Sequence, residues 1–94
     1  SDNFGLIGNY PRCALTAAGN ILALTDSINE LVISLFTPSG ALISQQVFIR
    51  RAARQLRIQA LRMIGNIFVP LWIEIDSSDR RVWHAQVRRI DGDF

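Results

Sequence analysis

Near the C-terminal end of this 94-residue chain, VPLWIEID-SSDR-RVWHAQVRRI holds its polarity at a period of two across a polar break. Leu71, Ile73 and Ile75 alternate with Trp72, Glu74 and Asp76, and beyond the break Trp83, Ala85 and Val87 alternate with His84, Gln86 and Arg88. Successive side chains of a strand point to opposite faces, so this pattern predicts two half-buried antiparallel strands over about residues 69–90. Pro70 stands near the start of its strand, where a missing amide donor does least harm. The pattern assigns Trp83 to the core with Ala85 and Val87. It leaves Trp72 on a polar face with Glu74 and Asp76, and His84 on the surface.

A second hairpin is expected over about 31–49, in LVISLF-TPSG-ALISQQVFI. Pro38 and Gly40 suit positions i+1 and i+3 of a type I turn between two apolar runs. On the returning strand Ala41, Ile43, Val47 and Ile49 are expected on one face, with Ser44 and Gln46 on the other. Residues 31–36 are apolar on both faces, which suits a strand covered on both sides. A helix competes there, because Ser27 and Glu30 form a capping pattern and Ile28, Leu31, Val32, Leu35 and Phe36 recur at helical spacing. The β-branched Val32 and Ile33, and Thr37 before Pro38, favour the strand.

Between the hairpins lies FIRRAARQLRIQALRMIG, residues 48–65, with Arg50, Arg51, Arg54, Arg57 and Arg62 and no acidic residue from Glu30 to Glu74. On a helical wheel Ile49, Ala52, Ala53, Leu56, Ala60, Met63 and Ile64 share one arc and the five arginines another, which predicts an amphipathic helix over about 49–64 stopped by Gly65-Asn66. A strand fits only QLRIQ before alternation fails at Leu61. Ile58 and Leu61 emerge among the arginines. Aliphatic anchors ringed by arginine suit a protein-docking face of Ile58, Leu61, Arg50, Arg54 and Arg57. The alternatives are a solvated face, its aliphatics covered by arginine stems, and a nucleic-acid face using Arg50, Arg51, Arg54, Arg57 and Arg62 on phosphates.

The expected fold is therefore α+β: an antiparallel sheet from two hairpins covered by one arginine-rich helix, with an all-β sandwich as the alternative. Residues 1–12 read as an irregular arm and 13–94 as a single domain, with no internal repeat. Hydrophobic residues make up 49% of the chain and charged residues 19%, below the usual ~25%. That apolar supply is large for so short a monomer and favours an oligomer or assembly subunit. All ten basic residues are arginine, yet the net charge is only +2, too small for strong global steering toward a polyanion.

Little in the sequence points to catalysis. A single histidine and a single cysteine do not make a zinc cluster, and no phosphate-cradling or nucleophile-elbow motif occurs. Cys13, beside Ala14 and Leu15, reads as a buried small hydrophobe. Asp76 and Asp79 read as caps of a serine turn. No cofactor or small-molecule substrate is implied. Neither a signal peptide nor a membrane-spanning run is seen, so a cytoplasmic protein or part of an assembled particle is expected. These features together suggest a non-enzymatic structural or assembly subunit, as of a virion or tail, whose partners are copies of itself or other subunits. A nucleic-acid-binding module is the alternative.

Overall fold

A computed structural model describes residues 9–90, with side chains from residue 12 onward. Among these residues there is no helix; the fold is all-β. Eight strands follow in order: β1 Asn9–Leu15, β2 Ile21–Asp26, β3 Glu30–Phe36, β4 Leu42–Arg50, β5 Gln55–Ile64, β6 Ile67–Ile75, β7 Arg81–Ala85 and β8 Arg88–Arg89. Sheet 1 has the order β1-β2-β3-β4; sheet 2 has β5-β6-β7, with β8 continuing the edge beside the first residues of β6. Every paired neighbour is antiparallel. Of the expected arm, residues 1–8 lie outside the described residues and 9–12 open β1. No described helix is long and apolar enough to cross a membrane.

Three of the turns are built alike. In 16–20, 37–41 and 76–80 the fourth residue donates its amide to the carbonyl of the first, at 3.0, 2.9 and 3.0 Å. The first residue's side chain accepts the amide of the fifth: Thr16 from Asn20 at 3.1 Å, Thr37 from Ala41 at 3.1 Å, Asp76 from Arg80 at 3.0 Å. The fourth position is left-handed in each, with φ of 87° at Gly19, 93° at Gly40 and 62° at Asp79. Threonine or aspartate at the first position and glycine or aspartate at the fourth are the residues such turns require.

The helix expected over 49–64 does not form. Ile49 and Arg50 finish β4, Arg51 to Arg54 turn between the sheets, and Gln55–Ile64 is β5. The alternation that failed at Leu61 is interrupted by a bulge: the register with β6 shifts between Ile58 and Ala60. Leu56 and Ile58 point inward before it, and Leu61 and Met63 pack on the core after it. One extra residue restores the phase of a strand, and an unbroken period-two test cannot see that. The same device alters β4. Register shifts at both ends of its pairing with β3 place Ile49 on the face of Ser44 and Gln46, opposite Val47.

The two sheets lie face to face around one core, formed by Leu22, Leu24, Leu31, Ile33, Leu35 and Ile49 of sheet 1 and Leu56, Ile58, Phe68 and Trp72 of sheet 2. Each such side chain, fully removed from water, stabilises by about 1.5–3 kcal/mol. Phe48 bridges the layers, its ring 6.1 Å from both Phe68 and Trp72. The buried carboxylate of Asp26, on β2, accepts the amide of Ile58 at 3.0 Å. It thereby ties the end of sheet 1 to the strand residue beside the bulge.

β5 lies against β1, β2 and β3 of sheet 1. The 16–20 turn and Asn66 share one depression, and residues 28–29 share another with residues 75–77 at the opposite end. The β5–β6 turn thus lies at the same end of the sandwich as the β1–β2 turn, and the β6–β7 turn at the same end as the β2–β3 turn.

Candidate interaction surface

The five arginines of the former helix face scatter once the segment is a turn and a strand. Arg50 forms an ion pair with Glu30, its cross-strand neighbour. Arg51 Nε and Arg54 Nη1 lie 3.3 and 3.5 Å from the carboxylate of Glu74. That carboxylate is only 2% exposed, and the Trp72 indole donates to it at 3.3 Å. His84 stacks on Trp72 at 5.6 Å, with Nε2 3.5 Å from Glu74. Three cations are therefore spoken for by acids 20 or more residues away in sequence. The phosphate-binding set Arg50, Arg51, Arg54, Arg57 and Arg62 is not assembled.

The expected docking set is also redistributed. Ile58 is 3% exposed and belongs to the core, and Leu61 packs against it. Arg50 and Arg54 are held in the ion pairs just described, and only Arg57 of that set lies on an outward face.

The polarity of the second hairpin is reversed from the expectation. Trp72 is 1% exposed and faces sheet 1, together with Glu74 and His84, whereas Trp83 is 59% exposed. The polar-looking alternation of Trp72, Glu74 and His84 is the inner face, because Arg51 and Arg54 enter from the inter-sheet turn to neutralise it. A buried carboxylate is tolerated only when paired and hydrogen-bonded. Its partners come from a turn that the sequence presents as helix, so the signal was hidden.

The aliphatic alternation is consequently turned outward. On β6 the outer row reads Ile67, Val69, Leu71, Ile73 and Ile75. Cross-strand pairing sets Arg57 and Trp83 on either side of Ile73, Ala60 and Ala85 on either side of Leu71, and Gln55 and Arg81 on either side of Ile75. Arg62 lies beside Val69. The flanks cover much of this row: Ile73 is only 8% exposed, and Val69, Leu71 and Ile75 are partly accessible between Trp83 on one side and Arg57 and Arg62 on the other. The two arginines make no ion pair among the described residues.

Cys13 is exposed rather than buried, although partial burial still raises its thiol pKa by desolvation. Among the described residues no three His, Cys, Asp or Glu side chains gather as metal ligands.

No family model matches this chain, and no curated protein or solved structure is detectably similar to it. The virion or tail role expected from size and composition has no support in these findings.

Proposed function

We propose that this chain is a non-enzymatic interaction module that docks another protein surface through the outer face of sheet 2. The observation that carries this reading is Trp83, 59% exposed beside the partly accessible Val69, Leu71 and Ile75 of the outer β6 row. An exposed aromatic anchor next to partly accessible aliphatics with arginine at the rim has the composition of the centre of a protein interface.

A second reading has one specific observation in its favour. Trp83 stands on an open sheet with Arg57, Arg62 and Arg81 around it, and an aromatic on a basic sheet can stack a base while arginines hold phosphates. The partly accessible Val69, Leu71 and Ile75 along that face count against it, because they offer a nucleotide neither charge nor a stacking plane.

A photocrosslinking amino acid placed at position 83 in cells separates the two. Docking predicts adducts destroyed by protease and untouched by nuclease, together with no oligonucleotide binding in vitro. Adducts removed by nuclease, or oligonucleotide affinity falling steeply with salt and lost in Trp83→Ala, contradict it in favour of nucleic acid.

A further inference from the structure

The outward side of sheet 2 gathers charge of one sign. Residues directly paired on neighbouring strands share a face. On the β5 flank this sets Arg57 beside Ile73 and Arg62 beside Val69; on the other flank it sets Arg81 beside Ile75 and Arg89 beside Ile67. Arg62, Arg81 and Arg89 are exposed and Arg57 is half-buried. The remaining outward residues of β5 to β8 are glutamine, alanine, aliphatics and Trp83, with no acid among them.

The described carboxylates lie elsewhere. Asp26 and Glu74 are buried, Glu30 pairs with Arg50 on sheet 1, and Asp76 caps the β6–β7 turn through the amides of Ser78 and Arg80. Asp79, in that same turn, reaches Arg81 at 3.6 Å. Arg57, Arg62 and Arg89 are left with no ion pair and no side-chain hydrogen bond among the described residues.

Like charges collected without an acid repel one another in the free chain, and a surface of opposite sign relieves that repulsion. A guanidinium fork pairs bidentately with a carboxylate. Between the flanks, the partly accessible Val69, Leu71 and Ile75 and the exposed Trp83 require an apolar centre in whatever meets them. A protein presents carboxylates around an apolar centre; a phosphodiester chain does not. The same charges disfavour a second copy of the chain, whose like face would set arginine against arginine with no acid between them.

We propose that the outer face of sheet 2 docks an acidic protein surface, apolar at its centre and carboxylate-bearing at its rim. Trp83 is the anchor, and Arg57, Arg62 and Arg89 take the carboxylates. This rests on the docking reading above and narrows it to one class of partner.

Fluorescence anisotropy of labelled probes tests the proposal. The probes are a short peptide of alternating glutamate and leucine, its lysine–leucine counterpart, and an oligothymidylate of the same length. Expected are binding of the glutamate peptide that weakens with added salt, and none of the lysine peptide. Combining Arg57→Glu, Arg62→Glu and Arg89→Glu lowers affinity for the glutamate peptide by about tenfold or more. Arg50→Ala, on sheet 1, keeps the native affinity. Circular dichroism and thermal melting establish that each variant is folded; none of these arginines belongs to the core. Equal affinity for the two peptides overturns the proposal, as does a glutamate-peptide affinity that the triple reversal leaves unchanged. Tighter binding of the oligothymidylate overturns it too. Protein adducts at position 83 that survive the triple reversal overturn the acidic partner while leaving protein docking in place; nuclease-sensitive adducts overturn both.

Discussion

Arg51, in the turn that carries the chain from one sheet to the other, lies 3.3 Å from Glu74, a carboxylate 2% exposed on the inner face of β6. With Arg54 at 3.5 Å and the Trp72 indole at 3.3 Å, the pair locks the inter-sheet turn onto sheet 2. Glu74→Ala removes the acceptor and leaves the buried indole N–H without a partner. The half-exposed arginines regain water, so the expected loss is about 2 kcal/mol rather than the larger cost of stranding a fully buried charge. For a domain of this size that is a fall in Tm on the order of 10 °C, measurable by thermal melting. An unchanged Tm contradicts the clamp.

Ile58 separates the observed fold from the helix that the arginine pattern suggests. On a helix it projects outward among arginines, and Ile58→Asp leaves the fold intact. In the structure it is 3% exposed between the sheets. Ile58→Ala is expected to cost about 2–4 kcal/mol, and Ile58→Asp to abolish cooperative unfolding. A folded Ile58→Asp protein argues against the placement of β5.

Arg50 is the contrasting case. Its ion pair with Glu30 is exposed, with 64% of the arginine side chain accessible. Such pairs contribute about 0–1 kcal/mol. Arg50→Ala is expected to shift the urea midpoint very little, and the residual effect to shrink further in high salt.

Asp76 carries the acid dependence of the β6–β7 turn. Its carboxylate pKa is held below the ordinary value first by the amide of Arg80, and also by the amide of Ser78 and nearby arginine charge. A depressed folded-state pKa means that stability is fully present above the unfolded-state value and is lost as pH falls through the folded-state value. An NMR titration should place its midpoint below that of a free aspartate. Asp76→Asn should flatten the acid limb of the stability curve, and an ordinary Asp76 midpoint contradicts the cap.

How much of this was legible in the sequence follows from the range of the interactions. Both hairpins were visible, because alternation and turn residues are local. The five-residue turns could have been matched to one another from Thr16, Thr37 and Asp76 at their first positions and Gly19, Gly40 and Asp79 at their fourth. The bulge at Ile58–Ala60 was not legible, since it breaks the period by which a strand is recognised, and the wheel then accepted the broken pattern as helix. The facing of the second hairpin was hidden for a different reason. Trp72 and Glu74 look like a surface until Arg51 and Arg54 are known to reach them, and that contact spans some 20 residues of chain. With the inner face disguised as polar, the alternation assigns the aliphatic row to the core and leaves the outward surface to Ile58 and Leu61.

The two tryptophans offer the most direct test of the proposed interface. Trp72 is 1% exposed within the chain itself, so collisional quenching by acrylamide reports almost wholly on Trp83, 59% exposed in the single chain. If a protein partner covers the outer face of sheet 2, quenching is strong in the purified chain and weak once the chain is bound to the protein crosslinked through position 83. Equally strong quenching in the bound and the free chain means that Trp83 stays in water and contradicts docking through this face.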